Sequence, residues 1–363
     1  MRIAMTPDEY EVSTLPDLFA ANRWAHRKLF ELARPLPDAA LDREESIGLG
    51  TLRKTLFHVW GAEQLWLRRW NGESPSSLPA EEKISIDELA DRFEQVHSER
   101  DAFLRAEAAN DYARVIDYRT LAGEPFSNSL VGLALHVANH AVHHRAQALH
   151  FLKLAGAVVP GGLDYLFYRL AYPTIDSEPD GVAACRKHGL EMETEFLPPR
   201  RFDVALLRRW CDYGDWGMDR LLKVADGLSD ADLDRDFGMG MGSLRKTLLH
   251  LFDAENWWRI NWRGERRPFP RLPAETSLAE LAQLWSELAA DRRDFMDGLG
   301  DGGLERVVEI DPGGGPLAFR VGESIVQLCV HGTHHRAQAI NLAKRLGRAS
   351  DAFDFVVFVR ENS

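Results

Sequence analysis

The chain has 363 residues, 45% of them hydrophobic and 28% charged, with a formal net charge of −12. That length predicts two domains, and the acidic balance excludes a broad nucleic-acid surface, which needs clustered Lys and Arg. No run reaches the roughly 20 apolar residues of a membrane span, the first residues lack a signal-peptide core, and three scattered cysteines form neither a disulfide framework nor a CxxC metal pattern, so a cytoplasmic protein acting away from membranes is expected.

The first helix is expected at 15–34, where Leu, Phe and Trp recur every three or four residues. A glycine-containing loop follows, and Thr51 is a good N-cap for a second helix. That helix carries His58 between Leu56 and Val59 on an otherwise apolar face. The third helix opens with Ser85 and Glu88, a capping box in which each side chain satisfies an orphan backbone donor. Residues 113–127 alternate apolar and polar around a glycine turn, which predicts a short β-hairpin. The fourth helix runs from Ser129 to Leu154 and stops at Gly156. It carries His136, His140, His143 and His144. The segment LDYLFYRL (163–170) closes this half, and residues 172–200, rich in Pro, Asp, Glu and Gly, read as a linker with one short helix.

The same series then returns, and such a repeat decides the fold. LGTLRKTLFHVWGAEQLWLRRWNGE (49–73) reappears as MGSLRKTLLHLFDAENWWRINWRGE (241–265), an offset of 192 residues that the pairs Trp24/Trp216 and Asp42/Asp234 share. The first helix recurs at 203–226, and the second starts at Ser243 and carries His250. The third opens at Ser277 with Glu280, and the hairpin recurs at 305–320, its Gly313-Gly314-Gly315 fitting a turn rather than a phosphate loop. The fourth helix spans Glu323 to Leu346 with a stop at Gly347. NHAVHHRAQALHFLKLAG (139–156) becomes VHGTHHRAQAINLAKRLG (330–347), and LDYLFYRL is echoed by FDFVVFVREN (353–362). The fold class is therefore all-α: two tandem four-helix bundles, 12–171 and 201–363, each with a short β-hairpin between its third and fourth helices.

The repeat also sorts the histidines. An i, i+4 pair lies on one helical face and can reach one metal ion. His140/His144 maps onto His331/His335, whereas His136 maps onto Gln327 and drops out. An i, i+3 pairing through the shared His143 and His334 stays open. His58 and His250 supply a third shared imidazole from a neighbouring helix. A lone histidine on an apolar face is ordinarily a core residue with one hydrogen bond. Three buried together each need a partner, and a divalent metal ion serves all three. His26, His97, His150 and His188 have no counterpart and read as surface or incidental. Glu63 and Glu255 follow the second-helix histidine by five residues, about 140° around the helix, which argues against co-ligation and for either a role supporting the ligands or a structural one. Arg145 and Gln147 recur as Arg336 and Gln338, either supporting the imidazoles or joining helices, and Cys329, opposite Ala138, reads as a small buried residue.

LRKTLxH, then NHxxHHRxQ, then a terminal Asp-x-Leu-Phe segment in that order resembles the DinB/YfiT-like metalloenzyme family. The first copy matches through His58, residues 139–147 and residues 164–170; the second keeps His250 and residues 331–338 but has Val330 for the asparagine. The resemblance implies a bundle with a three-histidine metal site: His58, His140 and His144 in the first copy, His250, His331 and His335 in the second. The relatives include bacillithiol transferases, mycothiol-dependent maleylpyruvate isomerases and domains of ergothioneine biosynthesis enzymes. They commonly dimerise, which implies that the tandem copies form a pseudo-dimer within one chain.

Three neutral imidazoles leave the ion's charge undiminished and a coordination position open, as in catalytic sites. Zinc is the first choice, with nickel, manganese and iron also suited to imidazole. Such an ion activates water or a thiol, and the resemblance tilts the choice to a transferase or isomerase acting on a small molecule with a low-molecular-weight thiol. The alternatives are a hydrolase using metal-bound hydroxide and a non-enzymatic stress-related metal-binding scaffold. No catalytic side chain beyond the ligands is identified.

Overall fold

The structure is a computed structural model that describes residues 7–80, 83–107, 112, 114–159, 162–171, 202–265, 267–300, 302–311, 316–348 and 352–362, with side chains from residue 14 onward. The linker, its expected helix, His188 and the Gly313–Gly315 turn lie outside these residues.

In the first half, α1 spans Pro7–Ala33, α2 is a single turn at Asp38–Leu41, α3 spans Leu52–Trp70 and α4 spans Ile86–Glu107. The antiparallel strands β1 (Val115–Arg119) and β2 (Pro125–Ser129) pair Val115 with Ser129 and Arg119 with Pro125. Then come α5 (Leu130–Leu154) and α6 (Tyr165–Ala171). The second half repeats the series: α7 (Val204–Ala225), the turn α8 (Asp230–Leu233), α9 (Leu244–Trp262) and α10 (Leu278–Asp297). Strands β3 (Val307–Ile310) and β4 (Leu317–Arg320) precede α11 (Val321–Arg345) and α12 (Phe355–Glu361). The bundles of the sequence reading are thus α1, α3, α4, α5 and α7, α9, α10, α11.

Local chemistry explains the helix starts. Thr51 and Ser243 accept hydrogen bonds from the backbone N–H groups of Lys54 and Lys246, and Ser85 and Ser277 from those of Glu88 and Glu280. Each satisfies an orphan donor of the first turn. At the start of α11 the Arg320 backbone N–H donates to Glu323 Oε2 at 2.9 Å, one half of a capping box. Gly156 and Gly347 follow α5 and α11 with φ of 82° and 75°, the left-handed conformation that ends a helix.

The recurring aspartates anchor the start of α3 and α9. Arg53 is buried, and its guanidinium donates to Asp42 at 2.6 Å, to Asp38 at 2.5 Å and to the Ile84 carbonyl at 2.5 Å. Arg245 repeats the set with Asp234 at 2.8 Å, Asp230, and the Thr276 carbonyl at 3.1 Å. Behind these anchors lie the apolar cores, in which Trp70, Trp210 and Trp262 are fully buried. In each unit the second and fourth helices of the bundle, α3 with α5 and α9 with α11, pack directly on each other.

The chain forms two compact units, and they are not identical with the sequence repeats. One consists of residues up to Val159 together with those from Ala352 onward; the other comprises Pro160 to Asp351. Helix α12 therefore packs on α5, and α6 on α11. Each repeat's terminal helix completes the bundle built by the other repeat.

Candidate metal centres

In the first unit, His58 sits midway along α3, and His140 and His144 lie one turn apart on α5. The three rings converge, with centroids 5.0 Å apart for His58–His140, 4.7 Å for His58–His144 and 4.5 Å for His140–His144. In the second unit the corresponding separations are 5.1 Å for His250–His331, 4.5 Å for His250–His335 and 4.3 Å for His331–His335. In each triad one donor nitrogen per ring lies within 4.8 Å of the other two. The i, i+4 pairs are thus the ones brought to the second-helix histidine.

The nitrogen pairing within each triad is informative. Nε2 of His58 faces Nε2 of His140 at 3.1 Å, and Nε2 of His250 faces Nε2 of His331 at 3.1 Å. Two neutral imidazoles facing in this way repel unless a proton or a cation lies between them. Burial and the neighbouring rings push His140 and His335 well below the usual histidine range. Burial also lowers His58, against an opposing pull from Asp354, and brings His250 down to about 4. Burial thus favours the neutral form of His58, His140, His250 and His335, and the converging ring nitrogens are a donor set that fits a divalent ion of the zinc type.

The shared glutamines lie beside the triads. His144 Nδ1 donates to Gln147 Oε1 at 2.9 Å, while the Gln147 amide nitrogen meets His143 Nε2 at 3.1 Å. This fixes His144 with its hydrogen on Nδ1 and its lone pair on Nε2 and occupies His143. Gln338 meets His334 Nε2 at 2.9 Å, but His335 Nδ1 and Gln338 Oε1 stay unpaired and buried. Gly48 and Gly240, with φ of 48° and 55°, allow this approach: a Cβ there would stand 2.3 Å from Gln147 Oε1 and 2.6 Å from Gln338 Oε1. Arg145 joins helices, donating to Asn22 at 2.9 Å, and Arg336 lies over the Tyr213 ring.

A residue the sequence reading did not single out completes the second centre. Asp164, which precedes α6, accepts from His331 Nδ1 at 3.1 Å and lies 3.9 Å from His334 Nδ1. Burial raises the Asp164 carboxyl, but the His331 hydrogen bond and the histidines around it outweigh that and hold it far below the usual range. The clue was the aspartate in both terminal segments, Asp164 and Asp354; what sequence cannot show is that each segment packs on the other repeat's bundle.

Three histidines read from sequence as surface or incidental are buried: His26, His97 and His150. The reason for two of them is a polar cluster between α1, α3 and α4. His26 Nδ1 meets His97 Nε2 at 3.3 Å, and Glu63 lies 3.4 Å from His97 and 2.7 Å from Arg100. His26, Glu63 and His97 form a third set of converging donors, but Arg100 already neutralises Glu63 there. That guanidinium sets a fixed positive charge against the cluster and repels a cation, so the triads are the better sites. Glu255 keeps the equivalent ion pair with Arg292, as the structural reading of these glutamates implied. Cys329 is buried 3.9 Å from Cys211.

A model of the DinB family matches residues 10–178 and again 206–362. No curated protein and no solved structure matches the chain.

Proposed function

The chain belongs to the DinB family, whose helical domain it carries twice, and from that premise we propose that each unit holds one divalent metal ion, zinc first, and uses it on a small molecule with a low-molecular-weight thiol. The ligands are His58, His140 and His144 in one unit and His250, His331 and His335 in the other. The observation that carries the reading is the pair of matching triads: three imidazole nitrogen donors each, partly open to solvent, with no fourth histidine, cysteine or carboxylate in either group among the described residues. Structural zinc sites are closed by four protein ligands, and catalytic ones keep a position open. This favours an enzyme over a metal-binding scaffold.

When bound, such an ion supplies Lewis acidity that lowers the pKa of a thiol or of water at the open position. The protein's part is to bury the imidazoles and to direct Nε2 of one ligand in each triad inward by accepting a hydrogen bond from its Nδ1–H, on His144 through Gln147 in the first unit and on His331 through Asp164 in the second. The choice of a thiol over water rests on the thiol-using relatives that the sequence resembles.

Metal analysis of the purified chain tests the binding step. Two ions per chain are expected, one in His140→Ala, one in His331→Ala and none in the double variant; a full complement in the double variant overturns the assignment. The reaction is tested by following consumption of glutathione, bacillithiol and mycothiol with an electrophile. Metal-dependent ester turnover without thiol consumption replaces the transferase reading by the hydrolase one.

A further inference from the structure

Although the two triads superpose in ring spacing, their surroundings differ. In the first, the outer partner is a neutral amide, Gln147, on the same helix as the histidine it orients. In the second it is the carboxylate of Asp164, delivered by α6 onto His331 Nδ1 at 3.1 Å. Several independent contacts hold that carboxylate in place. The backbone N–H of Leu166 donates to Gln327 Oε1 at 2.6 Å, and Arg169 pairs with Glu323 at 2.6 Å with both side chains buried. Tyr165 and Tyr168 are each 2% exposed against the bundle. Asp354 occupies the matching place in the first unit, where its charge favours the protonated forms of His58 and His136, but its carboxylate is not hydrogen-bonded to a ligand histidine.

We propose that Asp164 is a positioning residue of the second centre and that it makes the two centres unequal, the second binding metal more tightly than the first. The proposal rests on the metal-binding reading above. A carboxylate on the distal N–H of a ligating imidazole fixes its tautomer and orientation and raises its basicity, and loss of such a partner costs about 10–100-fold in metal affinity. A neutral amide orients without adding negative charge. His331 Nδ1 gives its hydrogen to Asp164, so its Nε2 carries the lone pair toward His250 before any metal arrives.

Zinc titration of the metal-free full chain against a competing chromophoric chelator tests this. Two steps are expected; His140→Ala keeps the tighter one and His331→Ala the weaker. Asp164→Asn is expected to weaken the tighter step about 10–100-fold, with the weaker step and the melting curve unchanged. A tighter step that belongs to the first centre, or one that Asp164→Asn leaves in place, overturns the proposal while metal binding stands. A wild-type chain that takes up no zinc overturns metal binding itself. In that case nitrogen NMR of the metal-free protein still decides the positioning role: His331 protonated on Nδ1 in wild type and redistributed in Asp164→Ala supports it, and identical spectra sink it.

Discussion

Glu63, His26, His97 and Arg100 show how a single side chain sets the state of its neighbours. Burial alone would raise Glu63, but His97 and Arg100 outweigh it and bring it down to about 2. Burial lowers His26 to about 3, against the pull of Glu63 and with added opposition from His97, Arg145 and Arg100. An unfolded chain takes up a proton at His26 near its ordinary 6.5, whereas the folded one refuses it until about 3. Between those limits the unfolded state binds more protons, so stability falls as pH falls. Glu63 acts in the same direction below its ordinary 4.5. At the matching positions the second repeat has Met218 and Ala289 in place of the two histidines. Urea unfolding of the His26→Met/His97→Ala chain is therefore expected to show a shallower loss of stability between pH 6.5 and 4.5 than wild type. An unchanged slope shows that the pair does not carry the acid sensitivity.

At the scale of the element, the start of α3 depends on Arg53 and the start of α9 on Arg245. Each guanidinium is buried and satisfies a backbone carbonyl from the stretch leading into the third helix of its bundle, as well as two aspartates of the preceding turn. Replacing Arg53 by Met leaves the Ile84 carbonyl without its donor while the aspartates return to water. A loss of about 1–3 kcal/mol in denaturant unfolding is expected, confined to the transition of the first unit; no change shows that the anchor is dispensable. Most elements were legible because period, cap and turn agreed twice. Ser85 and Ser277 mark the same helix start, and Thr51 and Ser243 another. The one-turn helices α2 and α8 were not, since four residues carry no period. Helix α1 starts at Pro7, earlier than its apolar stripe at 15–34 suggested, and proline suits a first helical turn. The triads were legible because an i, i+4 pair is a local feature and the repeat removed His136 from contention. The His26–His97 contact was not, because its partners lie on different helices and lack a second copy to point to them.

Across the whole molecule, repeat and compact unit part company at the terminal helices. A chain whose two halves were independent would lose its second centre when its last residues are removed. The observed packing implies the reverse. Phe355, Phe358 and Val359 of α12 are buried in the unit that contains His58, His140 and His144, and Asp354 acts on His58. Burying each aromatic ring contributes about 1.5–3 kcal/mol, so removing α12 opens the face of α5 it covers. The second unit draws its terminal helix and Asp164 from residues 162–171 and keeps both. A chain ending at residue 351 is thus expected to retain one ion. His331→Ala in that background removes it, and His140→Ala does not. If the retained ion depends on His140 instead, each terminal helix serves its own repeat and the exchange does not occur in solution.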